Sequence, residues 1–199
     1  MSTDIREFSM ILCGVGGQGT ILASKILAQT AIRKGINCRV GETHGMSQRG
    51  GSVISHFRIG SEVDGAITPV GHGQLMLAFE PVESLRYINF MKAGSNVVLN
   101  TYPIIPTSVN TGLAKYPPLE KIKETITQYP LKVNGFDATT IACRLGSAIA
   151  LNMVILGATT KLSEFPFEAD EMKKSIEELV KPQFIDLNIK AFNAGFEMA

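Results

Sequence analysis

The feature that most constrains this chain is six residues long. Gly14-Val15-Gly16-Gly17-Gln18-Gly19 separates an almost wholly apolar run, residues 8–13 (FSMILC), from a stretch whose apolar residues recur at helical spacing: Ile21, Leu22, Ile26, Leu27 and Ala31. An apolar run this short reads as a buried strand of a parallel sheet. Arg33 and Lys34 sit where a helix C-terminus favours cations, and Gly35 suits the left-handed residue that ends a helix. Residues 37–42 (NCRVGE) are the next strand candidate. Strand, glycine loop, helix, strand is a βαβ unit, and it commits the N-terminal part of the chain to an α/β fold.

The rest of the chain keeps the alternation. Residues 42–52 (ETHGMSQRGGS) follow no period and read as a loop. Residues 53–59 alternate, with Val53, Ser55, Phe57 and Ile59 on one face and Ile54, His56 and Arg58 on the other, the pattern of a half-exposed strand. Gly60-Ser61 is placed to turn this strand into residues 62–67 as an inserted hairpin. Strands are predicted at 75–79, 95–100 and 131–136. Pro81 opens a helix predicted over 82–92. A proline-rich connection leads to a helix at 119–128, and helices are predicted at 139–150, 153–157, 168–180 and 183–198. The expectation is one domain over residues 1–199: a three-layer, mostly parallel, Rossmann-like α/β sheet with the inserted hairpin and a helical C-terminal part.

Composition narrows the function. Hydrophobic residues are 45% of the 199 and charged residues 19%, a globular balance. Nineteen basic side chains against eighteen acidic leave a net charge of +1, which excludes a domain-wide basic field for nucleic acid. The longest apolar stretch, residues 147–158, falls short of the ~20 residues a bilayer span needs, so no membrane association is expected. Residues 1–8 carry Asp4, Arg6 and Glu7 and no long apolar segment, unlike a signal peptide. Three widely spaced cysteines, Cys13, Cys38 and Cys143, read as free thiols of a reducing cytoplasm. An iron–sulfur cluster usually takes four thiolates and no Cys-x-x-Cys pair is present, so no metal is expected in this chain.

Two loops can carry a ligand. Gly14, Gly16 and Gly19 satisfy G-x-G-x-x-G between strand and helix. Glycine lets backbone approach a ligand without a Cβ in the way, and the N–H groups opening the next helix attract an anion. Gly14, Val15, Gly16, Gly17, Gln18, Gly19 and Thr20 therefore form a candidate cradle for a phosphate-bearing cofactor. The alternative is a tight turn whose glycines serve packing alone. A nicotinamide dinucleotide site also asks for an acid at the end of the next strand, where Glu42 stands. Yet residues 43–49 do not continue as a helix start, and Gln18 is a bulky polar residue that simple packing does not call for. The second loop offers His44, Gln48, Arg49, Gly50 and Gly51, expected beside the first at the carboxyl edge of the sheet. Arg49 can grip a phosphate or carboxylate through two N–H groups, and His44 titrates near neutrality. A polar turn is the alternative there too. His56 and Arg58 read as solvated or as a subunit contact, His72 as part of a turn, Cys13 as inert core and Asp137 as the cap of the helix that follows. No catalytic residue is assigned in this chain.

The segments GVGGQGTILASKIL (14–27), ETHGMSQRGGSVISHFRIG (42–60) and NMVILGA (152–158) together resemble the gamma-type domain of 2-oxoacid:ferredoxin oxidoreductases. The similarity runs on through DLNIKAFNAGFEMA (186–199). The G-x-G-G-Q-G loop belongs to the wider family, and His-Gly-Met-x-Gln-Arg-Gly-Gly points to its indolepyruvate branch. The resemblance implies a subunit that is not active alone. Such enzymes turn a 2-oxoacid, coenzyme A and oxidised ferredoxin into an acyl-CoA, CO2 and reduced ferredoxin. Thiamine pyrophosphate, Mg and 4Fe–4S clusters carry that chemistry. This chain lacks cluster cysteines and a Gly-Asp-Gly segment of the thiamine-binding type. The resemblance therefore implies a large partner subunit that supplies both, with ferredoxin reached through the complex. It also implies that residues 14–20 and 44–52 serve the coenzyme A side; coenzyme A carries a pyrophosphate and a 3′-phosphate, for which Arg49 and Lys25 are candidate partners, a solvated position being the alternative for Lys25. Pyruvate, 2-oxoisovalerate or 2-oxoglutarate are the alternative substrates. A stand-alone NAD(P) dehydrogenase and a nucleotide-sensing module are the readings outside the family.

Overall fold

A computed structural model describes residues 5–42 and 50–198. The glycine loop joins β1 (Phe8–Val15) to α1 (Thr20–Arg33), and β2 (Cys38–Glu42) and β3 (Ser52–Ile59) follow. Then come β4 (Gly73–Ala78), α2 (Pro81–Arg86), β5 (Met91–Asn100), α3 (Thr107–Asn110), α4 (Leu119–Thr127) and β6 (Lys132–Phe136). Four helices close the chain: α5 (Ala138–Arg144), α6 (Leu151–Thr159), α7 (Ala169–Leu179) and α8 (Ile185–Met198).

The six strands form one mixed sheet in the order β2-β3-β1-β4-β5-β6. β1, β4, β5 and β6 run parallel. β3 runs antiparallel between β1 and β2. β1 and β2 still point the same way, so the expected βαβ crossover is present with one strand threaded through it.

Two expectations about β3 are corrected. Residues 62–67 form no strand, and the hairpin partner of β3 is β2. The physical reason is that β1 and β2 already occupy both edges of β3, leaving no edge of β3 for residues 62–67 to pair with. Those residues are held instead by Asn37, whose amide donates to the carbonyls of Gly60 (3.1 Å) and Val63 (2.9 Å). Nor is β3 half-exposed. It is an interior strand, and His56 and Arg58 are only 6% and 8% exposed.

The pleat sends alternate residues of each strand to two different cores. Met10 and Leu12 of β1 join Leu75, Leu77 and Phe57 under α1 and α5–α8. Ile11 and Cys13 join Met76, Val97 and Leu99 under the opposite layer, which Val82 and Leu85 of α2 and Ile122 and Ile126 of α4 cover. α6 is buried at every position. It meets α8 through glycine on glycine: a Cβ at Gly157 would lie 1.9 Å from the Phe192 carbonyl oxygen, and one at Gly195 1.9 Å from that of Val154. Asp137 caps α5 as expected, accepting from the Thr140 N–H at 2.7 Å.

Candidate functional site

β1 runs two residues further than its apolar run, so Gly14 and Val15 pair with Val53 and Ser52 of β3. The loop proper is therefore residues 16–19. Its glycines answer different demands. At Gly14 a Cβ would meet Gln18 Oε1 at 2.7 Å and Phe79 Cβ at 2.8 Å. Gly19 caps α1 in the left-handed conformation (φ 82°), and a Cβ there would strike Asn152 Nδ2 at 2.4 Å. Gly17 also has a left-handed φ (108°), yet no heavy atom of the described residues lies within 4 Å of where its Cβ would be. Gly50 is alike, with φ 74° and the same open space.

Gln18 is what closes this turn. It is 5% exposed; its Oε1 accepts from the Val15 N–H at 2.7 Å, and its Nε2 donates to the Phe79 carbonyl at 2.7 Å. Packing does call for it, because the loop must bind the end of β1 to the end of β4. Asn152 of α6 holds the other side, donating to the Gly19 carbonyl at 3.3 Å. Thr20, the first residue of α1, is buried. No side chain caps the N-terminus of α1, whose first N–H groups have no acceptor within the helix.

The two loops meet as expected. The Gly16 N–H donates to the Gly51 carbonyl at 2.8 Å, and the Gly50 N–H returns to the Gly16 carbonyl at 3.1 Å. His44, Gln48 and Arg49 lie outside the described residues. The strands on either side of that stretch are tied down. Glu42, closing β2, accepts from Ser24 Oγ of α1 at 2.6 Å. Ser52, opening β3, donates to Glu83 of α2 and contacts Tyr87 Oη at 2.8 Å.

Beneath the loops is a buried polar layer that sequence reasoning missed. The Phe79 carbonyl accepts from Asn100 Nδ2 (2.8 Å) as well as from Gln18. Glu80 caps α2 through the N–H groups of Val82 (2.7 Å) and Glu83 (3.1 Å), and accepts also from the Ile104 N–H and the Tyr116 hydroxyl. Burial and the bond to Glu80 push the Tyr116 hydroxyl well above its ordinary pKa. Burial, with Glu83 and Glu80 nearby, likewise holds the Cys13 thiol protonated, in keeping with an inert core residue. Pro81 at the first position of α2 is a helix-start signal legible in sequence, whereas glutamate is not a usual N-cap and the role of Glu80 is seen only in the fold. Asn100 and Asn152 carry no local signal, since Phe79, Thr139 and Gly19 are distant in the chain, and Glu83 shows in sequence only its i,i+3 pairing with Arg86, not its bond to Ser52.

The remaining candidates resolve as structure. Arg58 pairs with Glu7 (2.8 Å) and donates to Ser9 Oγ (3.0 Å) and the Gly65 carbonyl (2.8 Å). His56 Nδ1 accepts from the Thr68 N–H at 3.3 Å, and its ring sets an edge against Phe90 at 5.3 Å between centroids. Burial, then Arg58, lowers its pKa. Neither residue is solvated, because Glu7, Ser9 and the Gly65 carbonyl cover Arg58 and the Thr68 backbone and Phe90 cover His56 on that face of the sheet. His72 sits in a turn, as expected, donating its N–H to the Pro69 carbonyl at 3.2 Å. Among the described residues no group of three or more His, Cys, Asp or Glu side chains could hold a metal ion. No described helix is long and apolar enough to cross a membrane.

The carboxyl edge of the parallel strands is where open α/β sheets bind ligands, and the N-terminus of α1 and the described parts of the two glycine loops lie there. The model of the pyruvate ferredoxin/flavodoxin oxidoreductase family matches residues 9–198, and the chain belongs to that family, as its small gamma-type subunit. It is 44% identical to indolepyruvate oxidoreductase subunit IorB of Pyrococcus horikoshii, over 98% of this chain and 97% of that one. To the common gamma subunit of the pyruvate/ketoisovalerate oxidoreductases of Thermococcus litoralis it is 27% identical, over 92% of each. Among solved structures it resembles a keto/oxoacid ferredoxin oxidoreductase gamma subunit from Geobacter sulfurreducens, with a TM-score of 0.71 and 26% identity over 96% of this chain and 98% of that one.

Proposed function

We propose that this subunit supports the coenzyme A-dependent oxidative decarboxylation of an arylpyruvate, indolepyruvate first, with ferredoxin as electron acceptor. A large partner subunit supplies thiamine pyrophosphate, Mg and the 4Fe–4S clusters, and with them the chemistry at the oxo group. This chain contributes the paired glycine loops that receive coenzyme A. The cytoplasm is its compartment, which three free cysteines support.

One observation carries this reading. Gly17 and Gly50 belong to loops hydrogen-bonded to each other, and no heavy atom of the described residues lies within 4 Å of where a Cβ at either would be. Bare backbone beside a helix N-terminus lets an anion come close, and coenzyme A brings a pyrophosphate and a 3′-phosphate. Gly14, Val15, Gln18 and Gly19 shape the cradle; Gly16, Gly17, Gly50 and Gly51 offer it to the ligand, with the Thr20 hydroxyl behind them. His44, Gln48 and Arg49 belong to the second loop, where Arg49 can grip a phosphate through two N–H groups. Lys25 is exposed on α1 and adds a cation. The 44% identity to an indolepyruvate enzyme subunit favours an arylpyruvate over pyruvate or 2-oxoisovalerate, for which the identity is 27%.

The test is an anaerobic native purification through a tag on this subunit. The expected product is a brown complex with a large thiamine-containing chain that reduces a viologen with indolepyruvate and coenzyme A. A brown complex inactive on arylpyruvates moves the substrate to another 2-oxoacid. A colourless protein that purifies alone overturns the proposal.

A further inference from the structure

Glu83 has no part in the reading above, and its surroundings are exceptional for an acid. It is the third residue of α2 and is 6% exposed. Its Oε2 accepts from Ser52 Oγ and from Arg86 Nε, the latter at 3.0 Å. Ser52 has one hydroxyl proton and gives it to Glu83, so Tyr87, 2.8 Å away, donates to Ser52 in turn. Ser52 follows Gly51, whose carbonyl holds the Gly16 N–H at 2.8 Å. A short, fully bonded path therefore runs from a buried charge on α2 to the junction of the two glycine loops. On the other sheet face, Ser24 of α1 ties Glu42 at the end of β2. The strand that enters the second loop and the strand that leaves it are thus pinned to opposite helical layers, each by a serine bonded to a carboxylate. Burying a carboxylate is costly unless its bonds are made, so a plain strand start would be built more cheaply from apolar residues.

We propose that Glu83 is a positioning residue for coenzyme A. Acting through Ser52, with Tyr87 as second support, it holds Gly51, and through Gly51 it holds Gly16, at the spacing the ligand requires. The proposal rests on the reading of the paired loops as the coenzyme A site.

The experiment measures kcat and KM for coenzyme A and for the 2-oxoacid in the assembled anaerobic complex. The variants are Ser52→Ala, Glu83→Ala, Glu83→Gln, the double variant Ser52→Ala/Glu83→Ala and, as control, Gly17→Val. Loss of a hydrogen bond to a charged group should raise the coenzyme A KM about tenfold in Ser52→Ala and in Glu83→Ala, with the 2-oxoacid KM unchanged. Glu83→Gln keeps an acceptor oxygen for Ser52 and should restore the coenzyme A KM to within about twofold of wild type. Because the path is serial, the double variant should be no worse than either single one. A wild-type coenzyme A KM in Ser52→Ala, alongside a raised one in Gly17→Val, overturns the role of Glu83 and leaves the site standing. A Glu83→Gln enzyme as impaired as Glu83→Ala overturns it also. An unchanged coenzyme A KM in Gly17→Val removes the site itself, and the proposal with it.

Discussion

At residue 18 a glutamine does what the glycines around it cannot. Its two amide ends join the backbone of β1 to the carbonyl that follows β4. Gln18→Ala should leave a buried N–H and weaken a buried carbonyl's bonding, at a cost of about 2–3 kcal/mol read from the urea midpoint at unchanged m-value. Arg49→Ala should raise the coenzyme A KM about tenfold, the value of a charge-assisted contact. Glu7 makes a different prediction. The hydrogen bond from Arg58 holds its carboxyl below the ordinary range, against the opposing effect of burial. A lowered folded-state pKa gives stability that is complete above the unfolded-state value and is lost as pH falls through the folded-state one. Wild type and Glu7→Gln should therefore be furthest apart in stability at neutrality and converge as pH falls below the ordinary carboxylate range; a pH-independent gap would deny the pair that role. At this scale the glycine motif was legible as a motif and its division of labour was not. Gly14 and Gly19 are glycines because of Phe79 and Asn152, residues far along the chain.

Among the elements, the α6–α8 contact shows best why a quoted motif has its form. NMVILGA and the C-terminal NAGFEM place Gly157 and Gly195 where each helix lies against the other's backbone. Gly195→Ala should cost about 3 kcal/mol, at the upper end of overpacking, and should lower the thermal midpoint by several degrees; a neutral alanine would show that the helices separate freely. Periodicity found nearly every helix and strand, since burial imposes period 2 or 3.6 on the side chains that face a core. It failed at β3. A strand that alternates apolar with polar residues looks half-exposed, but here His56 and Arg58 are buried with hydrogen-bonding partners of their own. Periodicity registers polarity, and polarity predicts exposure only while no partner is buried beside it.

The whole molecule has two unequal cores. One, under α1 and α5–α8, includes all of α6; the other rests on α2 and α4, and α4 buries only Ile122 and Ile126. β6 is an edge strand with exposed residues along it. Openings that free α4 and β6 should therefore cost less than those that free α6. In native-state hydrogen exchange the amides of α4 should exchange well before those of α6, and equal protection would mean that the two layers open as one unit. The glycine loops join both layers, through Ser24 and Asn152 on one face and Glu83 on the other.

The sequence by itself determined the α/β class, the place of the glycine loops at the carboxyl edge of the sheet and the family. These follow from local periodicity and from backbone freedom that few residues besides glycine possess. The tertiary structure decided the threading of β3 between β1 and β2, the burial of His56 and Arg58, and the network of Gln18, Glu83, Asn100 and Asn152. Each of those depends on groups brought together from distant parts of the chain, and a hydrogen bond or a strand edge has no fixed spacing in sequence to announce it.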